Sequence, residues 1–116
     1  MEISKSLLTG STTMLILKLL EMKDMYGYQM IEELEKRSDQ TFSLKAGTLY
    51  PLLHGLEQQE MIEAYEESAD SGRVRKYYTL TKKGKGLLAE KKDEWKAYTA
   101  AVNRVLQGSV NIEPAY

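Results

Sequence analysis

The hydrophobic positions divide the chain into segments with helical and strand periodicity. In the first segment, residues 6–22, apolar side chains lie around most of the helical circumference. We therefore expect a helix that is buried on more than one side. In the next segment Tyr28, Ile31 and Leu34 recur every three residues between charged positions, which predicts an amphipathic helix of about three turns that begins near Tyr26.

A third helix is predicted by four leucines at spacings of three and four between positions 49 and 56. Ser43 is the candidate N-cap of this helix. Pro51 lies inside the helix and cannot donate to the carbonyl of Gly47, four residues earlier. We therefore expect its first part to be irregular or kinked.

Two alternating segments, 62–67 and 74–81, flank the turn formers of residues 68–72 and predict a β-hairpin. Alternate side chains of a strand point to opposite faces. The residues of the second strand that should point inward are Val74, Tyr78 and Leu80. Those that should face solvent or a ligand are Arg73, Arg75 and Tyr77.

The last helix is predicted from the N-cap Thr81 to about Gln107. Apolar residues seven positions apart form a seam along it that needs a surface to pack on. The simplest surface is the same helix of a second copy, assisted by the first helix, which predicts a two-fold homodimer. The predicted dimer interface consists of Leu88, Trp95, Tyr98, Val102 and Val105.

These elements predict a mainly α protein with a small β-hairpin, arranged as a winged helix-turn-helix plus a long C-terminal helix. The 116 residues are enough for one compact domain. We assign residues 1–80 to the winged-helix DNA-binding domain, whose first helix also contributes to the dimer. Residues 81–108 form the dimerisation helix, and residues 109–116 form a tail.

The formal net charge of −1 hides two halves of opposite sign, −7 over residues 1–72 and +6 over residues 73–116. Residues 73–85 contain six cations and no acid. A local basic patch governs binding to a polyanion even when the total charge is near zero, so this segment indicates DNA binding. The alternative is a solvated charged face.

The composition excludes several classes of function. The absence of cysteine rules out disulfides, thiolate metal sites and a cysteine nucleophile, and favours a cytoplasmic location. No apolar segment is long enough to span a membrane, so no membrane partner is expected. His54 is the only histidine and has no evident catalytic partner, and the carboxylates form no pair, so we predict no enzyme activity, no cofactor and no metal site.

Three sequence motifs stand out, YGYQMIEEL at 26–34, GTLYPLLHGLEQQEMI at 47–62 and RKYYTLTKKG at 75–84. Together they resemble the PadR family of bacterial transcriptional regulators. The resemblance extends from Leu15 to about Leu106 and is to the short form of the family, with a single C-terminal dimerisation helix. It implies a winged-helix dimer, usually a repressor, that binds a palindromic operator through its third helix and its wing.

Winged-helix binding needs cations that hold phosphates and side chains that reach base edges. The start of the third helix is the part that meets bases in helix-turn-helix docking, and Lys82 lies in a helical first turn, which attracts anions. Tyr50 has a second interpretation, as a residue that covers the core. The candidate DNA-binding residues are Lys45, Thr48, Tyr50, His54, Arg73, Arg75, Lys76, Tyr77 and Lys82.

Trp95, the only tryptophan, has two interpretations. It either packs in the core or, near the axis of a dimer, forms with its second copy a slot for a small planar aromatic effector. The candidate effector-binding residues are Trp95, Leu8, Met14, Tyr98 and Val102. The predicted function is a ligand-responsive repressor; the alternative is a winged-helix protein-interaction module that binds an acidic protein instead of DNA.

Overall fold

The computed structural model describes residues 3–108, so the tail assigned to residues 109–116 lies outside the described residues. The elements in chain order are α1 (Lys5–Thr9), α2 (Thr12–Met22), β1 (Met25–Tyr26), α3 (Gly27–Arg37), α4 (Ala46–Gln58), β2 (Ile62–Ser68), β3 (Val74–Leu80) and α5 (Lys82–Leu106). Among residues 3–108, no helix is both long and apolar enough to cross a membrane.

The predicted fold class, a winged helix-turn-helix with a long C-terminal helix, is confirmed. The predicted hairpin is β2 and β3, and the sheet also contains β1, giving the antiparallel order β1-β3-β2. Met25 pairs with Tyr78 and Tyr26 with Tyr77. A strand of two residues is too short to show alternation in the sequence, which is why β1 was not predicted.

The single first helix of the prediction is wrong, because the segment breaks at Gly10 and Ser11 into α1 and α2. The carbonyl of Leu8 accepts hydrogen bonds from the Ser11 backbone N–H at 3.0 Å, the Ser11 hydroxyl at 3.2 Å and the Thr12 hydroxyl at 2.8 Å. Side-chain hydroxyls thus take over an acceptor that an uninterrupted helix would use. Only α2 contributes buried residues; α1 has none.

Two details of the next helices also differ from the prediction. On α3, Tyr28 is 64% exposed and Met30 is buried instead, although Leu34 lies inside as expected. The N-cap of α4 is Lys45 rather than Ser43, and no side chain caps it. The leucine stripe of α4 does face the core, and the helix continues through Pro51, since the carbonyl left without a donor belongs to the exposed Gly47.

The core lies between α2, α3, α4 and the inner face of the sheet. It includes Leu88 of α5, which is 1% exposed, and this contact ties the long helix to the domain. The other core residues are Ile16, Leu17, Leu19, Leu20, Met25, Met30, Leu34, Leu49, Leu53, Leu56, Ile62 and Tyr78.

The start of α5 packs against residues 59–61, which connect α4 to β2. The Thr81 hydroxyl donates to the carbonyls of Glu60 at 2.7 Å and Met61 at 2.9 Å, and accepts from the backbone N–H of Gly84 at 3.0 Å. Thr81 is therefore the N-cap, as predicted. A Cβ on Gly84 would collide with the Met61 carbonyl oxygen, so only glycine permits this close approach.

The outer face of the sheet carries an aromatic cluster. The Tyr77 ring stacks on Tyr65 at 5.7 Å and meets the edge of Tyr26 at 5.4 Å. The Arg75 guanidinium lies 4.4 Å from the centroid of the Tyr26 ring. The Tyr65 hydroxyl donates to Asp24 Oδ2 at 2.7 Å, which links the edge strand β2 to the turn before β1.

Replacement of Gly84 by alanine tests the close approach of α5. We expect Gly84→Ala to lower the free energy of unfolding by about 1–3 kcal/mol, because the new methyl group must displace the Met61 carbonyl. Gly86→Ala is the matched control, since its Cβ meets open space and removing a helical glycine stabilises by about 0.5–1 kcal/mol. Urea denaturation at one protein concentration measures both. Equal effects of the two changes would contradict the assignment.

The Tyr65–Asp24 hydrogen bond predicts a late tyrosine titration. The Asp24 carboxylate accepts a hydrogen bond from the phenol and so raises the pKa of Tyr65 from 10.0 to about 12. Since the folded state favours the protonated phenol, the stabilisation is complete below pH 10 and is lost as the pH rises to about 12. The ultraviolet absorbance of tyrosinate, compared between wild type and Tyr65→Phe, isolates this step, and Asp24→Asn should move it back toward pH 10.

Candidate nucleic-acid interface

Helices α3 and α4 form a helix-turn-helix, connected by residues 38–45. The turn begins with two residues of positive φ, Asp39 at 53° and Gln40 at 64°. The backbone N–H of Gln40 donates to the carbonyl of Glu35 at 2.7 Å and closes the end of α3. This sharp exit sends the chain across to α4, whose outer side remains exposed.

The candidate residues of α4 lie on two adjacent parts of its exposed surface. Tyr50 and His54, four residues apart, share one side, and Lys45 and Thr48, three residues apart, share another. Lys45, Thr48 and His54 are all exposed. The structure thus presents all four at the outer side of the second helix, with Lys45 and Thr48 at its beginning.

Tyr50 fits both of its interpretations in part. Its side chain is 42% exposed. The ring also lies directly over Gly27, where a Cβ would overlap the Tyr50 hydroxyl. Tyr50 therefore holds the start of α3 against α4 and offers the remaining surface to a ligand.

The cations of the hairpin are not equally free. Arg73 is exposed in the turn, after Gly72 with φ of 82°. Arg75 is half-buried against Tyr26. The Lys76 ammonium lies 3.7 Å from Glu57 Oε1, a contact between the hairpin and the end of α4.

Two other hairpin residues, Tyr77 and Val74, differ from the prediction in their exposure. Tyr77 is half-buried within the aromatic cluster rather than open to solvent. Val74 was expected to point inward with Tyr78 and Leu80, but it is 56% exposed. Val74 has the inward parity, but the tip of the hairpin extends past the core, so no core residue of the described chain covers its side chain.

The fold places an acidic strand beside the basic one. Glu66 is paired with Lys76 and Glu67 with Arg75 in the register of β2 and β3. Residues 62–80 contain four acidic and three basic residues, a formal net charge of −1. The hairpin is therefore close to neutral, and the opposite charges on its two strands attract each other. The basic run along the sequence therefore overstates the positive charge of the folded wing.

Lys82 is exposed in the first turn of α5, together with Lys83 and with no acid in that turn. Thr81 holds the same turn against Glu60, in the connection that follows α4. Lys45 therefore lies at the N-terminal end of α4, whereas Lys82 lies near its C-terminal end. Within the described residues, no group of three or more histidine, cysteine, aspartate or glutamate side chains could hold a metal ion.

A groove between α1, α2 and α5 brings together part of the predicted effector set. We call it the Trp95 groove; it has a volume of about 400 Å³ and is lined by Ser6, Leu7, Gly10, Met14, Lys91, Glu94, Trp95 and Tyr98. The Trp95 ring lies 6.2 Å from that of Tyr98 and is 43% exposed, so it is not a core residue of the described chain.

Three predicted residues are placed elsewhere. Leu8 lines a different cavity, and Val102 lies about two turns beyond Trp95 on α5 without lining the groove. Leu88 is corrected as an interface residue, since it is buried in the core of its own chain and has no surface left for a second copy. Val105 is 80% exposed.

Comparison with known proteins gives a consistent result. The model of the Transcriptional regulator PadR-like family matches residues 16–90. An uncharacterized protein of Lysinibacillus sphaericus is 34% identical over 106 residues, which cover 91% of this chain and 97% of that protein. The transcriptional regulator YqjI of Escherichia coli is 28% identical over 85 residues, 73% of this chain but only 39% of YqjI.

Solved structures agree with the sequence matches. The crystal structure of a PadR-like transcriptional regulator from Bacillus cereus has a TM-score of 0.79 at 33% identity, covering 90% of this chain and all of that chain. The crystal structure of a PadR family transcription regulator from Clostridium difficile has a TM-score of 0.71 at 37% identity, covering 83% and 98%. With its helix-turn-helix, its hairpin and its long α5, the chain belongs to the PadR-like family of transcriptional regulators.

Proposed function

We propose that the chain is a dimeric, sequence-specific DNA-binding repressor that recognises a palindromic operator and responds to a small planar aromatic effector. The observation that carries DNA binding is the exposed outer side of α4, which begins at Lys45 and lies beside a hairpin with Arg73 exposed at its tip. This is the arrangement in which a helix enters the major groove and flanking cations hold the phosphates.

The distribution of charge suggests how the contacts divide. Arg73 and Lys82 are exposed and suit phosphate contacts, whereas Lys45, Thr48 and His54 lie where base edges would be read. Arg75 and Lys76 are partly engaged within the chain by Tyr26 and Glu57. Since the hairpin is close to neutral, its affinity for phosphates depends on few cations, and Arg73 is the most accessible of them.

The dimer is supported by the exposed apolar surface of α5. Beyond Leu88 the helix contributes no buried residue to its own chain. Trp95 and Tyr98 are 43% and 57% exposed, and Val105 and Leu106 are 80% and 74% exposed. An apolar stripe of this kind on a projecting helix is stabilised by a second copy related by a two-fold axis.

A dimer of this kind supplies a two-state mechanism. The α5 helices set the separation of two α4 helices, and operator binding requires a separation near one DNA turn, about 34 Å. An effector in the Trp95 groove that favours another separation shifts the population away from the DNA-binding state. Of the predicted effector residues, Trp95, Met14 and Tyr98 line this groove.

Loss of a single hairpin cation tests the DNA-binding proposal. Arg73→Ala should weaken binding to DNA from upstream of the protein's own gene and to random DNA alike. It should also make the dependence of log K on log salt less steep by about 0.9 per chain, because one phosphate contact is lost. Fluorescence anisotropy at several salt concentrations measures both quantities. Lys96→Ala is the matched control, because Lys96 is an exposed lysine far along α5.

The same assay decides against the alternative of a protein-interaction module. If wild type binds upstream DNA no more tightly than random DNA at any salt concentration, the repressor proposal is wrong. Under the repressor proposal, Arg73→Glu with Arg75→Glu abolishes retention on DNA. Under the alternative, wild type itself is not retained and an acidic protein competes for the same arginines.

A pair of charges on α5 tests the dimer. Tyr98→Asp with Val105→Asp should convert the protein to a monomer of 13.2 kDa, because two carboxylates would be buried in an apolar interface. Sedimentation equilibrium measures the mass. Asn103→Asp, an exposed polar position on the same helix, is the control and should leave the mass at twice that of the monomer. A monomeric wild type would contradict the proposal.

A further inference from the structure

A second and larger cavity lies between α1, α2 and the turn that leads into α4. We call it the α1 cavity; it is open to solvent and has a volume of about 870 Å³, within the range of roughly 300–1,000 Å³ usual for small-molecule sites. Its apolar lining residues are Ile3, Leu8, Leu15, Leu34, Phe42, Leu44 and Leu52. Of the predicted effector and DNA-binding residues, only Leu8, Lys45 and Thr48 line this cavity.

The polar lining of the α1 cavity has a clear charge preference. Two lysines line it, Lys5 of α1 and Lys45 at the start of α4, and both are exposed, so they belong to the part that meets solvent. Thr9, Thr13 and Thr48 are also among the lining residues. No aspartate or glutamate is present among the described residues of the lining. The cavity therefore complements an anion that has an apolar body.

Helix α1 separates this cavity from the Trp95 groove. Lys5, Leu8 and Thr9 line the α1 cavity, whereas Ser6 and Leu7 line the groove. The two sites are therefore on opposite sides of one short helix. The α1 cavity has one aromatic lining residue, Phe42, among leucines and an isoleucine, so it lacks the paired rings that would favour a planar aromatic ligand.

We propose that the α1 cavity binds a small aliphatic carboxylate, with its chain against the leucines and its carboxylate between Lys5 and Lys45. Because Lys45 and Thr48 line this cavity and are also the first residues of the exposed side of α4, the bound carboxylate competes with DNA for them. The competition rests on the proposed function, whereas carboxylate binding does not. This site is separate from any effector held by Trp95.

Titration calorimetry of the full-length protein with decanoate, kept below its micelle-forming concentration and without DNA, tests the site. We expect saturable binding of one decanoate per chain, with decanol binding at least about threefold more weakly because it lacks the charge that the two exposed lysines attract. Lys5→Gln with Lys45→Gln should weaken decanoate binding about tenfold and leave decanol binding unchanged. Lys96→Gln is the matched lysine control, and Trp95→Phe should also have no effect.

A filling variant separates this cavity from other apolar surfaces. Thr13 is half-buried and lines the cavity, so Thr13→Phe should abolish binding. If that variant fails to fold by circular dichroism, Lys5→Glu with Lys45→Glu serves instead, because both positions are exposed. The proposal is overturned if decanoate shows no saturable binding, as would happen if a second copy of the chain covered the cavity. It is also overturned if decanol binds as tightly as decanoate, or if Trp95→Phe loses decanoate binding.

The effect of decanoate on DNA binding is measured separately from the binding of decanoate itself. Saturating decanoate should raise the apparent Kd of wild type for upstream DNA by at least about threefold, the share of affinity carried by one cationic contact. The Thr13→Phe protein should show no such rise. Decanoate binding without any DNA binding overturns the repressor proposal and leaves the cavity assignment intact, and decanoate binding without competition overturns the overlap with Lys45.

Discussion

The close packing of the start of α5 against the connection between α4 and β2 is the constraint on which the rest of the structure depends. Thr81 joins the carbonyls of Glu60 and Met61 to the first turn of the helix, and Gly84 allows the two backbones to touch. Glu60 adopts a positive φ of 62° at the C-terminal end of α4, where the backbone N–H of Met61 donates to the carbonyl of Leu56 at 2.9 Å. The direction of α5, about 37 Å long at 1.5 Å per residue, is therefore set by the Thr81 hydroxyl, by the close approach of the Gly84 and Met61 backbones and by the buried Leu88 side chain.

This junction ties the two activities proposed for the chain to one rigid unit. Leu88, one turn beyond Gly84, is buried in the core and continues the attachment. In the proposed mechanism, a shift of α5 at Trp95 would be transmitted through this attachment to the domain that carries α4. Without the glycine, α5 would leave the domain at another angle, and in the proposed dimer the spacing of the two α4 helices would change with it.

The hairpin shows how tertiary pairing modifies a charge pattern. The basic run of residues 73–85 is real in the sequence, but β2 brings Glu66 and Glu67 beside Lys76 and Arg75. Tyr26 and Glu57 engage two of these cations further. Arg75 and Tyr77 were expected to face outward, and they do lie on the outer face, where an aromatic cluster rather than solvent surrounds them.

The sequence by itself determined the helices α2 to α5, the hairpin and the Thr81 cap, because apolar periodicity and capping are local properties. It also indicated the family, and most of the DNA-binding residues that it predicted are exposed in the structure. Only the tertiary structure decided the strand β1, the break at Gly10, the burial of Leu88 and the separation of Leu8 from Trp95. Each of these depends on contacts between residues far apart in the chain, or on hydroxyl groups that compete for a backbone carbonyl. The local periodicity of apolar residues therefore cannot predict them.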